Sequence, residues 1–147
     1  MTHAIKIGQV LYEQLLTLDS RLSVGTKVFP IIAELDTTFP FIVYTRESIS
    51  PNTMTKDGWV CDMVTFRIDV VADSYTNYID IADAVRTLFE RKQILSTNAA
   101  LMLRNCHLVG MNESWDSNTY ISQMRFECEV YDLPTQNTQQ TQNTQQP

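Results

Sequence analysis

Glycine is scarce in this chain, and its scarcity excludes a class of chemistry. Four glycines in 147 residues form neither GxGxxG nor GxxxxGK[ST], so no glycine-rich loop can cradle a phosphate with its backbone amides. The HExxH and GxSxG signatures are absent as well. The three cysteines (Cys61, Cys106 and Cys128) are odd in number and widely separated, with no CxxC or histidine-spaced cluster. This arrangement supports neither a disulfide framework nor a zinc site, and reduced thiols suit a cytoplasmic origin. There are two histidines, His3 and His107. The pair Cys106–His107 invites thought of a thiol nucleophile, but adjacent strand residues point to opposite faces and share a proton poorly. The expectation is one packed cysteine and one surface histidine. Two carboxylate pairs, Asp80/Asp83 and Glu127/Glu129, read as solvated faces because acids at a helix start or on an exposed strand need no catalytic role. No catalytic residue, cofactor or metal is therefore expected.

Positive charge is also in short supply: 11 basic against 17 acidic residues leave a net charge of -6, which argues against tight nucleic-acid binding, since neutralising phosphates supplies that affinity. No run approaches the roughly 20 apolar residues of a membrane span. The opening Met-Thr-His-Ala-Ile-Lys lacks the pattern of a signal peptide. The expectation is a soluble protein with no membrane partner.

What the chain does have is patterned hydrophobicity. At 44% hydrophobic residues, one domain of this length buries roughly 70% of the surface that its unfolded chain would expose. Ile7, Val10, Leu11, Leu15 and Leu18 fall on one helical face, predicting a first helix from Ile5 to about Leu22, with Asp19-Ser20 weakening the pattern. Lys27 to Ala33 reads as an edge strand, because Pro30 has no amide to give a ladder. Phe41 to Ile49 and Val60 to Ala72 read as strands, with Val64, Phe66, Ile68 and Val70 alternating with Thr65, Arg67 and Asp69. After Asp73-Ser74, both suitable N-caps, Tyr75 to Arg91 predicts a second helix burying Tyr78, Ile81, Val85, Leu88 and Phe89. Leu101 to Met111 and the alternating run Tyr120 to Val130 complete the set as a hairpin with its loop at Asn112 to Asn118. The order α-β-β-β-α-β-β implies an α+β fold, with two helices packed on one face of a mainly antiparallel sheet.

Two stretches fall outside this pattern. Between the second and third strands lies a polar segment with Pro51, Asn52 and Lys56-Asp57-Gly58, so that Thr45 to Met63 forms an arm longer than the core can support. Trp59 in this arm serves equally as an interface anchor or as a cap on the domain's own core. Trp115, in the predicted final loop, is expected to fold back on the core. The second stretch is the C-terminal one. TQNTQQ at Thr135 to Gln140 repeats at Thr141 to Gln146, an uncharged Gln/Asn-rich tract with no core-forming residues. This divides the chain into a domain at 1–134 and a low-complexity tail at 135–147, either solvated without a role or pairing weakly with strand edges around an assembly.

The succession "VFPIIAELDTTFPFIVYTRES" (Val28 to Ser48), "TKDGW" (Thr55 to Trp59), "VTFRIDVVADSY" (Val64 to Tyr75) and the amphipathic helix after it resembles the tail terminator, or tail-completion, proteins of long-tailed bacteriophages. The resemblance spans nearly all of Met1 to Pro134; the repeat beyond has no counterpart in it. It implies a non-enzymatic virion protein at the head-proximal end of the tail, assembled in the host cytoplasm. Such a protein forms a hexameric ring on the last ring of tail-tube subunits, stops tube growth and presents the surface to which the head or its connector docks. Genome DNA would pass through the lumen without specific binding, which an acidic lining permits. A ring requires one patch to meet a different patch on the next copy. The arm is the expected contact, with Arg46, Glu47, Lys56 and Asp57 setting register and Trp59 as apolar anchor. The alternatives are a neck or head-completion connector of the same virion and, more distantly, a small α+β ligand-binding domain with a closed pocket.

Overall fold

The computed structural model describes residues 2–54, 56, 58 and 60–134, with the backbone alone at 52 and 53. In chain order its main elements are helix α1 (Ile7–Leu15), strands β1 (Val28–Pro30), β2 (Phe41–Met54) and β3 (Val60–Ala72), helix α2 (Tyr75–Phe89), and strands β4 (Ile94–Ser96), β5 (Leu101–Asp116) and β6 (Thr119–Asp132). The strands form a single six-stranded sheet in the order β1-β2-β3-β6-β5-β4. Every pairing is antiparallel except that of β1 with β2. The fold is α+β, as expected from the sequence, with one strand more than anticipated. Ile94-Leu95-Ser96 is too short for a period of two to register in sequence. It is a strand because β5 offers it an edge, Ile94 opposite Leu103 and Ser96 opposite Leu101.

The first helix is shorter than the apolar pattern predicts. It is preceded by a 3-10 turn at Ala4–Lys6 and followed, after a break, by another at Ser20–Leu22. Just past the last helical residue the Thr17 hydroxyl donates to the Gln14 carbonyl at 2.6 Å, and Asp19 then caps the second 3-10 turn. The Asp19 carboxylate accepts from the Arg21 amide at 2.9 Å and also holds its guanidinium, the kind of local side-chain bond that competes with helix continuation. Leu18 and Leu22 still pack against the core, so the periodicity reported burial correctly and helix length incorrectly. At α2, Ser74 occupies the N-cap position without a side-chain cap bond, and the helix ends at Phe89.

Both helices cover one face of the sheet. Ile7, Val10, Leu11 and Leu15 from α1 and Tyr78, Ile81, Val85 and Phe89 from α2 are buried with Ile42, Phe66, Ile68, Val70, Phe126 and Val130 from the strands. At the centre, Phe66 stacks on Phe126 with ring centroids 5.4 Å apart and meets Phe89 edge-on at 5.3 Å. These geometries suit aromatic pairs and join three distant parts of the chain.

Bulges shape two of the strands, and each of β2 and β5 shifts register a second time farther along, between Ser50 and Thr53 and between Leu108 and Gly110. In β2 the register first shifts between Arg46 and Ser48, and in β5 between Arg104 and His107. Each carries one extra residue, so the inward-facing set changes parity: Ile42 and Tyr44 give way to Ile49, and Leu101 and Leu103 to Cys106 and Leu108. The amide of Leu108 just beyond the first shift in β5 donates to the Glu90 carboxylate at 2.9 Å, which ties the end of α2 to β5. β5 also runs farther than expected. The segment from Asn112 is strand as far as Asp116, and the hairpin closes in two residues, Ser117 and Asn118, with φ of 49° and 65°. Two left-handed residues are what a type I′ turn requires.

Replacing Phe66 with Ala would leave a cavity bordered by two rings, at a cost of about 3–5 kcal/mol. For a domain of this length that corresponds to a Tm lower by roughly 10 °C. Thermal unfolding followed by circular dichroism measures it, and an unchanged Tm would show that the ring stack is not the centre of the core.

Candidate assembly surfaces

The sheet is paired unevenly at its margins. β1 covers only Ile42 to Tyr44 of β2, and β4 covers only Leu101 to Leu103 of β5. The outer edge of β2 from Thr45 onward and that of β5 beyond Arg104 therefore lack a strand partner among the described residues. β6 pairs with β3 from Asp62 to Ala72. Beyond Asp62 the β2–β3 ribbon thus continues without β6, over the last residues of β2 to Met54 and the first of β3 from Val60, a shorter projection than Thr45 to Met63. At its root, Thr2 donates to Asp62 through its hydroxyl, and His3 donates through its amide to Asp132 at 2.7 Å. Near its tip Met54 is 71% exposed and Val60 also faces solvent.

The site residues proposed from the sequence fall into two groups. Arg46 donates from Nη1 to the Ile5 carbonyl at 2.8 Å, anchoring the N-terminal segment against β2. Glu47 is the extra residue of the bulge. The distortion aims it at the uncovered face, where Arg125 Nε donates to it at 2.8 Å and Arg67 Nη1 lies at 3.8 Å. Arg67 and Arg125 stand directly opposite each other on β3 and β6, and like charges in that position repel. Glu47 between them, and Asp69 bonded to Arg67 Nε at 2.9 Å, offset that repulsion. Lys56 is exposed at the ribbon turn, while Asp57 and Trp59 lie outside the described residues. The parity change from Tyr44 to Ile49 was the available signal for the bulge.

A second surface was missed in the sequence. Trp115 does not fold back on the core; it is 60% exposed on β5, because the hairpin continues as strand where a loop was expected. With Tyr75, Tyr78, Glu113 and Tyr120 it lines a groove of about 280 Å³. An adjoining hollow of about 180 Å³ lies between α2 and β5, beside Ile79 and Met111. Tyr78 donates to Glu113 at 3.0 Å, and burial raises the phenol above its ordinary pKa. Cys106 is buried and His107 exposed, as expected for adjacent strand residues. Cys106 and burial push the Cys128 thiol far up, leaving it protonated and inert. Among the described residues, no group of three or more His, Cys, Asp or Glu is placed to hold a metal ion.

Open hollows, bare strand edges and a projecting ribbon define an α+β protein whose distinctive features are contact surfaces. A family model described as tail completion protein gp17 matches residues 9–120. The chain belongs to this tail completion family, and it is a structural protein of the bacteriophage tail. A solved chain from the virion of a native gene transfer agent (GTA) particle shares the fold, with a TM-score of 0.70 at 15% identity over 86% of this chain and 96% of that one. A second solved chain shares it with a TM-score of 0.58 at 11% identity, over 89% and 94%. No curated protein matches the chain.

Burial holds the Asp69 carboxyl above its ordinary value of 3.8, although the bond from Arg67 pulls the other way. A carboxyl raised by folding favours the folded state most when protonated. That contribution is complete below the ordinary Asp range and is lost as pH rises through the raised value. Asp69→Asn should therefore raise Tm at pH 7, and the gain should shrink as pH falls through the raised value and vanish below the ordinary value of 3.8. Melting curves across that range measure it; a gain independent of pH would show that Asp69 titrates as an unperturbed carboxyl.

Proposed function

We propose that the protein assembles into a hexameric ring that caps the phage tail tube, stops its polymerisation and provides the surface on which the head or its connector docks. It acts by contact and without catalysis, at the head-proximal end of the tail. Genome DNA passes through the lumen without specific binding, compatible with a net charge of -6. Membership of the tail completion family supports this reading. The observation that carries it from family to mechanism is that one sheet presents different contact features at its two sides, the β2–β3 ribbon beside one bare edge and the bare β5 edge on the other. A head-to-tail contact needs two unlike patches, and such a contact closes into a ring when its rotation divides the circle.

Within that ring the ribbon turn, with Lys56, Asp57 and Trp59, is the contact element. Arg46 and Glu47, engaged with their own chain, hold the root of the arm in position. The decisive experiment is the mass of the purified protein in solution, alone and with tube subunits. A hexamer, or a hexamer capping tube rings, is expected. A protein that stays monomeric under both conditions removes the ring, and one that binds the portal side but not the tube protein is a neck connector instead.

Removing residues 51–55 shortens the ribbon beyond the buried Cys61 and Asp62. The variant should keep its melting temperature within a few degrees, at about the ±0.5 kcal/mol typical of surface changes, and lose ring mass. Normal assembly and tail termination by the shortened protein would make the arm dispensable.

A further inference from the structure

On the β1 side of the sheet, the chain between β1 and β2 exposes an apolar and acidic knob. Ile31, Ile32 and Leu35 face solvent, Leu35 at 93%, beside the exposed Glu34 and Asp36. The knob is held in shape: the Thr37 amide and hydroxyl both donate to the Glu34 carbonyl, which turns the chain at Leu35-Asp36. Ile31 has a φ of +66°, a left-handed conformation that is an outlier for a β-branched residue. The Ile31 amide keeps it there by donating to the Tyr44 carbonyl at 2.9 Å. Neither Glu34 nor Asp36 has a cationic partner among the described residues.

The opposite side of the sheet carries the complement. Where α2 ends and the β5 bulge begins, Arg91, Lys92, Arg104 and His107 line a hollow of about 460 Å³. The Arg91 amide donates to the Cys106 carbonyl at 2.7 Å, fixing one wall to the bulge. Arg104 lies over the Tyr131 ring, 5.8 Å from its centroid, and His107 is 3.8 Å from Glu127. Arg91, Lys92 and Arg104 have no carboxylate within ion-pair distance among the described residues. Leu95 on β4 and Val109 on β5, each two residues along the chain from a residue that lines the hollow (Gln93 and His107), are exposed. In a chain with 11 basic residues against 17 acidic ones, this is a local concentration of positive charge.

We propose that the Ile31–Asp36 knob of one copy seats in the Arg91–Lys92–Arg104 hollow of the next, with the Glu34 and Asp36 carboxylates meeting the cations and Leu35 packing against Leu95 and Val109. This deepens the ring reading and rests on it. Three features single out a second copy as occupant. The charges are complementary, both patches combine exposed apolar and charged groups, and the sheet order places β1 and β4 at opposite edges, where a head-to-tail neighbour must make contact. A nucleic acid in the hollow would leave the apolar knob on the other side unexplained.

Charge reversal tests the pairing. Glu34→Lys with Asp36→Lys makes one variant, and Arg91→Glu with Lys92→Glu makes another; all four side chains are exposed, and circular dichroism confirms that each variant is folded. Each variant alone should weaken self-association at least about tenfold, because like charges then face each other at the contact. An equimolar mixture should recover the ring mass in sedimentation velocity. In a ring of even number the two variants can alternate with every contact opposite in charge. Rings that form in each variant alone, or no recovery in the mixture, would overturn the pairing while leaving the ring itself standing. If the wild-type protein never leaves monomer mass, even with tube subunits, the ring reading falls first. A short DNA duplex that binds the wild type, but not the Arg91→Glu/Lys92→Glu variant, with ring mass unchanged, would assign the hollow to nucleic acid and overturn the proposal.

Discussion

The register of β3 on β6 is the constraint from which the rest of the molecule follows. These strands come from the middle and the end of the domain and pair without interruption from Asp62 opposite Val130 to Ala72 opposite Tyr120. Because side chains alternate along both strands, this one alignment places Phe66 on Phe126 and sends Val64, Ile68 and Val70 to the helix side with Met124, Cys128 and Val130. A slip of one residue would reverse every one of them. The same alignment determines where the β2–β3 ribbon leaves the sheet. It also sets Arg67 opposite Arg125 on the other face, where the Glu47 carboxylate reaches both guanidinium groups.

That other face shows how irregularities in the ladder become functional geometry. An uninterrupted β2 would have no residue to spare between Arg46 and Ser48; the bulge supplies Glu47 and directs it between two guanidinium groups. In β5 the corresponding bulge opens the wall of the basic hollow and frees an amide for Glu90. Both devices lie just beyond the point where a three-residue edge strand stops covering its neighbour. Short edge strands and bulges limit indiscriminate edge pairing, and in a protein that assembles, they also leave particular edges and hollows for a chosen partner.

Much of the fold was legible in the chain. The alternation through β3 and β6, the stripe on α2 and Pro30 at an edge all reflect burial by period, and period survives in sequence because each element buries one face. The shortfalls have physical reasons too. Helix α1 stops early, and local side-chain bonds follow its end, from the Thr17 hydroxyl to the Gln14 carbonyl and from the Arg21 amide to Asp19. Strand β4 is invisible because three residues have no period. Trp115 was misplaced because polar neighbours on a solvated strand look like a loop. The proposed contact residues divided in the same way: sequence could mark Arg46 and Glu47 as charges on an arm, but not that both find partners within their own chain.

By itself, then, the sequence determined the elements, their apolar faces, the absence of recognisable catalytic motifs and, through the succession of segments from Val28 to Tyr75, the family. The tertiary structure decided which charges meet, where the ladder bulges, how far each hairpin runs and which sides of the sheet remain uncovered. The division follows from the range of the interactions. Periodicity and turn chemistry act over a few neighbours and are written locally, whereas a bulge or an ion pair such as Glu47 with Arg125 depends on strands that meet only after the chain has folded.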